Sequence, residues 1–233
     1  RLTATTRVKA DVTPTRFLTA LFRDPSKVTD GLTLMSELFT IATDMQDVEL
    51  PITFQDVFTR EEAEAFYWQN NRRMWICNGP SAQNNGIPAR SAVSLWQRIE
   101  AEADTAIAHG RHGANLRFGH DTNLYRLLTL LRLSGERCRP AEEVDRMDSV
   151  VPMAANLQMI FMRCAATEQV YVAFLHNERP VYALGCEAVA ASPYVYAWDS
   201  VKAFVHQRMA SLERRRVLSE VNTLVGTAQA TTR

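Results

Sequence analysis

The chain has 233 residues, enough to bury a real core, and its 46% apolar and 22% charged content is that of an ordinary globular protein. Lysine plus arginine equals aspartate plus glutamate at 26 each, so no global basic field gathers nucleic acid, and any anion site must be local. No apolar run approaches the length of a membrane span.

Residues 1–110 read as a mainly helical domain. Phe17, Leu18, Leu21 and Phe22 recur at helical spacing, and Leu34, Met35, Leu38, Phe39, Ile41 and Ala42 repeat the pattern over residues 32–45. Thr59-Arg60-Glu61-Glu62 is a capping box: the Thr59 hydroxyl accepts from a helical N–H and Glu62 reaches back. The helix it opens runs through Phe66, Tyr67 and Trp68 toward Trp75. A loop over residues 78–88 precedes one long amphipathic helix over about residues 90–109, stopped by Gly110.

The pattern changes over residues 111–220. Residues 114–118 predict a short strand, 123–133 a Leu-rich helix, and 136–148 a charged surface loop. Residues 156–164 and 170–176 predict an antiparallel hairpin, 192–198 an irregular stretch, and Asp199 a cap for a last helix to about Arg215. The tail 221–233 is rich in Thr and Ala and reads as frayed. These strands are too few for a balanced sheet, which implies further strands before Arg1. A core stripped of them exposes an apolar edge and is expected to be poorly stable alone.

The strongest chemical signal is Leu116-Arg117-Phe118-Gly119-His120-Asp121-Thr122-Asn123-Leu124. An apolar run ends in Gly-His-Asp and a helix starts at once. A helix N-terminus draws anions, because its first N–H groups are unpaired and the dipole is positive there. His120 and Asp121 are therefore the lead catalytic candidates for chemistry on a phosphate ester. The ring donates to a phosphoryl oxygen, and the carboxylic acid protonates the leaving alkoxide and then takes a proton from the attacking water. Thr122, at the helix start, joins His120 as a substrate-binding candidate. Arg117 either lines the site or faces solvent.

This stretch resembles the C-terminal His-Asp motif of the histidine acid phosphatases, branch 2 of the histidine phosphatase superfamily, which includes phytases and multiple inositol polyphosphate phosphatases. Val150-Val151-Pro152-Met153-Ala154-Ala155-Asn156-Leu157-Gln158 and the hairpin ending His176-Asn177-Glu178-Arg179 resemble the strands that follow the motif. The helical half resembles the α-domain inserted into this family's core. The resemblance implies an α/β fold: a partial histidine-phosphatase core, its C-terminal portion, with a mainly helical inserted domain. It implies a nucleophilic histidine in an Arg-His-Gly-X-Arg-X-Pro motif that forms a phosphohistidine, His120 as a phosphate contact and Asp121 as the proton donor. It also implies inositol or sugar phosphates as small-molecule substrates, no cofactor, and a periplasmic or secreted location.

The nucleophile motif is not found in its expected form. Arg111-His112-Gly113 continues as Ala-Asn-Leu-Arg and follows a helix end, so His112 reads as a loop residue. Two other readings are open: a phosphate-binding relic without a nucleophile, and an unrelated helical interaction module.

Other signals are weaker. Trp68, Trp75 and Trp96 fall on apolar stripes and read as core. Asn177-Glu178-Arg179 reads as a turn, and residues 214–216 as a solvated helix face. No HxxxH or HExxH occurs, so no metal site is expected. The four cysteines show no CxxC spacing; a Cys138–Cys186 disulfide or four free thiols are both open.

Overall fold

The computed structural model describes residues 14–45, 48–49, 57–110, 113–135 and 150–231. The chain divides into two units between Arg73 and Met74.

In the first unit, α1 (Thr15–Leu21) and α2 (Gly31–Asp44) pack through Phe17, Leu18 and Met35, and Phe66 joins them from α3 (Arg60–Asn78), within which the division falls. Rings close the core: Phe17 stacks on Phe58 with centroids 5.6 Å apart, and Phe39 on Phe66 at 5.4 Å. The capping box forms as expected. Thr59 Oγ1 accepts from Glu62 N–H at 3.2 Å, and a Glu62 carboxylate oxygen accepts from Thr59 N–H at 2.8 Å. Arg16 Nε also donates to Glu62, at 3.1 Å. Trp68 departs from the expectation: its side lies half in solvent at 51% exposure, while Trp75 and Trp96 of the second unit are buried.

The second unit is built on a sheet whose central strand is β3 (Val170–His176). An extended strand sends alternate side chains to opposite faces. Leu157, Met159 and Phe161 of β2 (Leu157–Arg163) therefore share one face with Val172 and Phe174 of β3 (Val170–His176), in the register Phe161↔Val172 and Met159↔Phe174. The expected hairpin is thus present. Asn177 and Glu178 turn the chain with φ of 50° and 60°, and β4 (Arg179–Pro180) returns beside β3. Two residues of positive φ are what a tight hairpin turn of this twist requires.

Helices cover the apolar face. Leu127, Leu130 and Leu131 of α6 (Asp121–Leu131) and Val201, Val205 and Leu212 of α7 (Trp198–Thr231) meet Val172, Phe174 and Trp96. The mixed α/β class is as the sequence predicts.

Four local expectations are corrected. The single helix over 90–109 is two, α4 (Ile87–Ser91) and α5 (Val93–Ala108). Pro88 fits a first turn, where no backbone donor is needed, so the helix starts early. The Ser91 hydroxyl then donates to the Pro88 carbonyl at 2.7 Å, a back-bond that bends helices. Residues 192–198 are not all irregular: β6 (Val195–Ala197) pairs antiparallel with β3, and Tyr196 turns inward. The Tyr196 hydroxyl donates to Pro193 O at 3.0 Å and accepts from Ala183 N–H at 2.9 Å. Ala183 lies on β5 (Tyr182–Ala183), which pairs with β1 (Leu133–Ser134). The last helix continues past Arg215 to Thr231 and begins at Trp198, with Asp199 in its first turn rather than capping it.

The fourth correction concerns residues 114–118, which form no strand and join no ladder among the described residues. Leu116 is 75% and Phe118 95% exposed. Cys77, Cys164 and Cys186 are free thiols, and burial pushes the Cys186 thiol up to about 11. Cys138, His112 and the charged loop lie outside the described residues.

Candidate active site

Helix α6 positions the two lead residues. His120 occupies its N-cap with extended backbone, φ −81° and ψ 155°, and its ring makes no cap hydrogen bond. Asp121 is the first helical residue. Its carboxylate accepts from the Thr122 N–H at 2.6 Å, and the His120 carbonyl accepts from Asn123 N–H at 3.0 Å. The His120 and Asp121 side chains are adjacent in the chain and both exposed; Thr122 is half-buried beside them. The helix below is anchored by buried Tyr125, Leu127 and Leu128. An exposed imidazole and carboxylate thus stand on a rigid element, at the end where a helix attracts negative charge.

The segment leading into this end is held by one carboxylate. Arg117 and Asn115 alternate with Leu116 and both donate to Glu102 Oε2 on α5, while Arg98 donates to Oε1. The Arg117 guanidinium, then that of Arg98, keeps the Glu102 carboxyl below the usual carboxylate range. Arg117 is therefore engaged with α5 and does not simply face solvent.

Glu102 escaped the sequence reading. A signal was present in the alternation Glu100, Glu102, Asp104. Residues four apart share a helix face, and the one between them points about half a turn away. Glu100 meets His206 at 2.9 Å, and Asp104 accepts from Trp198 Nε1 at 2.7 Å and Lys202 Nζ at 3.2 Å, both joining α5 to α7. Glu102 is left to face the segment that leads into α6. What the sequence lacks is any sign that Arg117, fifteen residues on, folds back to it.

The remaining histidines lie elsewhere. The His109 ring contacts Thr105 O at 2.7 Å at the end of α5. His176 ends β3 on its core-facing side; its Nε2 is buried without a partner, and burial lowers its basicity. Among the described residues, no group of three or more His, Cys, Asp or Glu side chains could hold a metal ion. No helix among them is long and apolar enough to cross a membrane.

Residues 15–177 match the sequence profile of the histidine phosphatase superfamily (branch 2). Among solved structures, the chain is similar to a multiple inositol polyphosphate phosphatase of Bifidobacterium longum, crystallised with inositol hexasulfate, at TM-score 0.61 and 25% identity. The match covers 76% of this chain and 38% of that one, so the chain spans well under half the length of this relative. No curated protein matches the sequence significantly.

Proposed function

The chain belongs to the histidine phosphatase superfamily, branch 2, and from that membership we propose that it supplies the phosphate-contacting and proton-donating end of a phosphomonoester hydrolase site. The observation that carries this reading is the exposed His120–Asp121 pair on the N-terminus of α6. In the reaction, His120 donates to a phosphoryl oxygen. As the nucleophilic histidine bonds to phosphorus and the ester P–O bond breaks, the leaving alkoxide takes the Asp121 proton. Asp121 then takes a proton from the water that attacks phosphorus and breaks the P–N bond. A carboxylic acid serves as donor in acid medium or beside a dianion that favours its neutral form. Thr122 adds a hydroxyl at the helix start. Arg117 serves as a further contact by sharing its five donors between Glu102 and phosphate.

The nucleophile of this mechanism is a histidine in an Arg-His-Gly-X-Arg-X-Pro motif, and that motif does not occur in the 233 residues. The same observation favours a second reading, a phosphate-binding site without turnover. Family membership sets aside the unrelated interaction module. The inositol hexasulfate held by the Bifidobacterium longum relative supports a polyphosphorylated cyclitol as substrate class. By the same likeness we place the protein in the periplasm or outside the cell.

Hydrolysis of para-nitrophenyl phosphate at acid pH tests the reading. Asp121→Asn should cost about 10²–10⁴-fold, the span of general acid catalysis, and His120→Ala should also lose rate. Hydrolysis that survives both changes overturns the assignment. Saturable phosphate binding without turnover selects the second reading.

A further inference from the structure

The buried stripe of α7 runs through Val201, Val205 and Leu212, all at most 5% exposed. By helical period Arg208 falls on this stripe, where an apolar residue would pack. Its Nη2 donates to Thr129 O at 3.0 Å, one of the last carbonyls of α6, which have no intrahelical donor. Among the described residues its buried Nε has no partner and its Nη1 makes no hydrogen bond. Two further cations bear on it. Arg132 follows the last residue of α6 with φ 52°, three residues after Thr129; Arg215 lies two turns beyond Arg208 on the same helix. Burial first, then the charges of Arg132 and Arg215, bring the Arg208 guanidinium down to about 10.

Several exposed cations of this unit face carboxylates: Arg98 and Arg117 face Glu102, Arg163 faces Glu168, and Arg216 faces Glu213. Arg132, Arg208 and Arg215 have no such partner among the described residues. One guanidinium suffices to satisfy the α6 carbonyl, so the convergence of three is unexplained by that bond. Three like charges, one of them partly desolvated, repel one another until a counter-charge enters. Planar guanidinium forks match phosphoryl oxygens.

We infer that Arg132, Arg208 and Arg215 form a second anion site that binds a dianionic phosphoryl group. It is distinct from the His120–Asp121 pair, which lies at the opposite end of the 11-residue helix α6, about 16 Å away along its axis. Arg208 forms the floor through Nη1, and the exposed Arg132 and Arg215 close over the anion. The inference does not depend on the proposed hydrolysis.

The test is calorimetric titration of the full chain carrying His120→Ala and Asp121→Asn, with inorganic phosphate, glycerol 2-phosphate or chloride at matched ionic strength. Saturable phosphate binding should persist in this background and weaken at least tenfold when Arg132→Gln and Arg215→Gln are added. Tighter binding of inorganic phosphate identifies the free ion as the ligand, and tighter binding of glycerol 2-phosphate an esterified phosphoryl group. Arg132 and Arg215 are exposed, so these substitutions spare the core. Unchanged affinity in the arginine variant overturns the site. So does complete loss of phosphate binding in the His120→Ala, Asp121→Asn background, which would leave the reading of the first site intact.

Discussion

Two stretches of this chain carry an apolar residue at every second position and meet opposite fates. In 157–163, Leu157, Met159 and Phe161 turn onto Val172, Phe174 and the helices behind them. In 114–118, Leu116 and Phe118 stand in solvent, on backbone that joins no ladder among the described residues. Alternation specifies an extended backbone with two unlike faces, but stability comes from the surface that one face buries. The hairpin brings its own partner strand across a six-residue connection. The second stretch is held instead by side chains, through Asn115 and Arg117 on Glu102. The catalytic candidates follow directly on the stretch held in this second way.

The contrast predicts unequal costs for similar substitutions. Phe174→Ala removes a fully buried ring from β3 and should destabilise the second unit by about 3–5 kcal/mol, read from the midpoint of urea unfolding. Gly185→Ala comes next. Gly185 has φ of +102°, and an added Cβ would lie 2.6 Å from Phe204 Cε2. Strain at such a backbone position costs about 1–3 kcal/mol, so the same unfolding measurement should show a smaller but clear loss.

Glu102→Gln should act locally. Amide exchange across residues 113–120 should quicken while the amides of β3 keep their protection. The pH dependence has a defined sign. Because its arginine partners depress the carboxyl in the fold, the tie is fully present above the ordinary carboxyl value of 4.5 and is lost as pH falls through the lower folded value. Exchange in wild type at pH below that range should therefore approach exchange in Glu102→Gln. Equal protection of residues 113–120 in both proteins at neutral pH would show that Glu102 does not hold the segment. Phe118→Ala should change stability least, within about 0.5 kcal/mol. A loss as large as that of Phe174→Ala would mean that Phe118 is covered by something in solution.

Most long elements were legible because their residues repeat on a helical or strand period over many turns, as in α2, α6 and the β2–β3 hairpin. The place of Asp121 at a helix start was legible, because it is a local property. What escaped depends on distant contacts or on very short segments. The three residues of β6 are too few to show a period, and Tyr196 is fixed by Ala183 and Pro193. The break at Ala92 turns on one serine back-bond. Arg117 required knowledge of where Glu102 points. Arg208 was hidden for the opposite reason: an arginine among basic neighbours on a helix reads as solvated until its stripe is seen to face the core.

The central claim is that the N-terminal end of α6 holds phosphate between His120 and Asp121. Titration of the isotope-labelled chain with inorganic phosphate, followed through the His120 ring and the Thr122 and Asn123 amides, tests it most directly. Saturable shifts at these three positions, absent in His120→Ala, are the predicted result. Shifts confined to other parts of the chain, with the start of α6 unmoved at saturating phosphate, would contradict it.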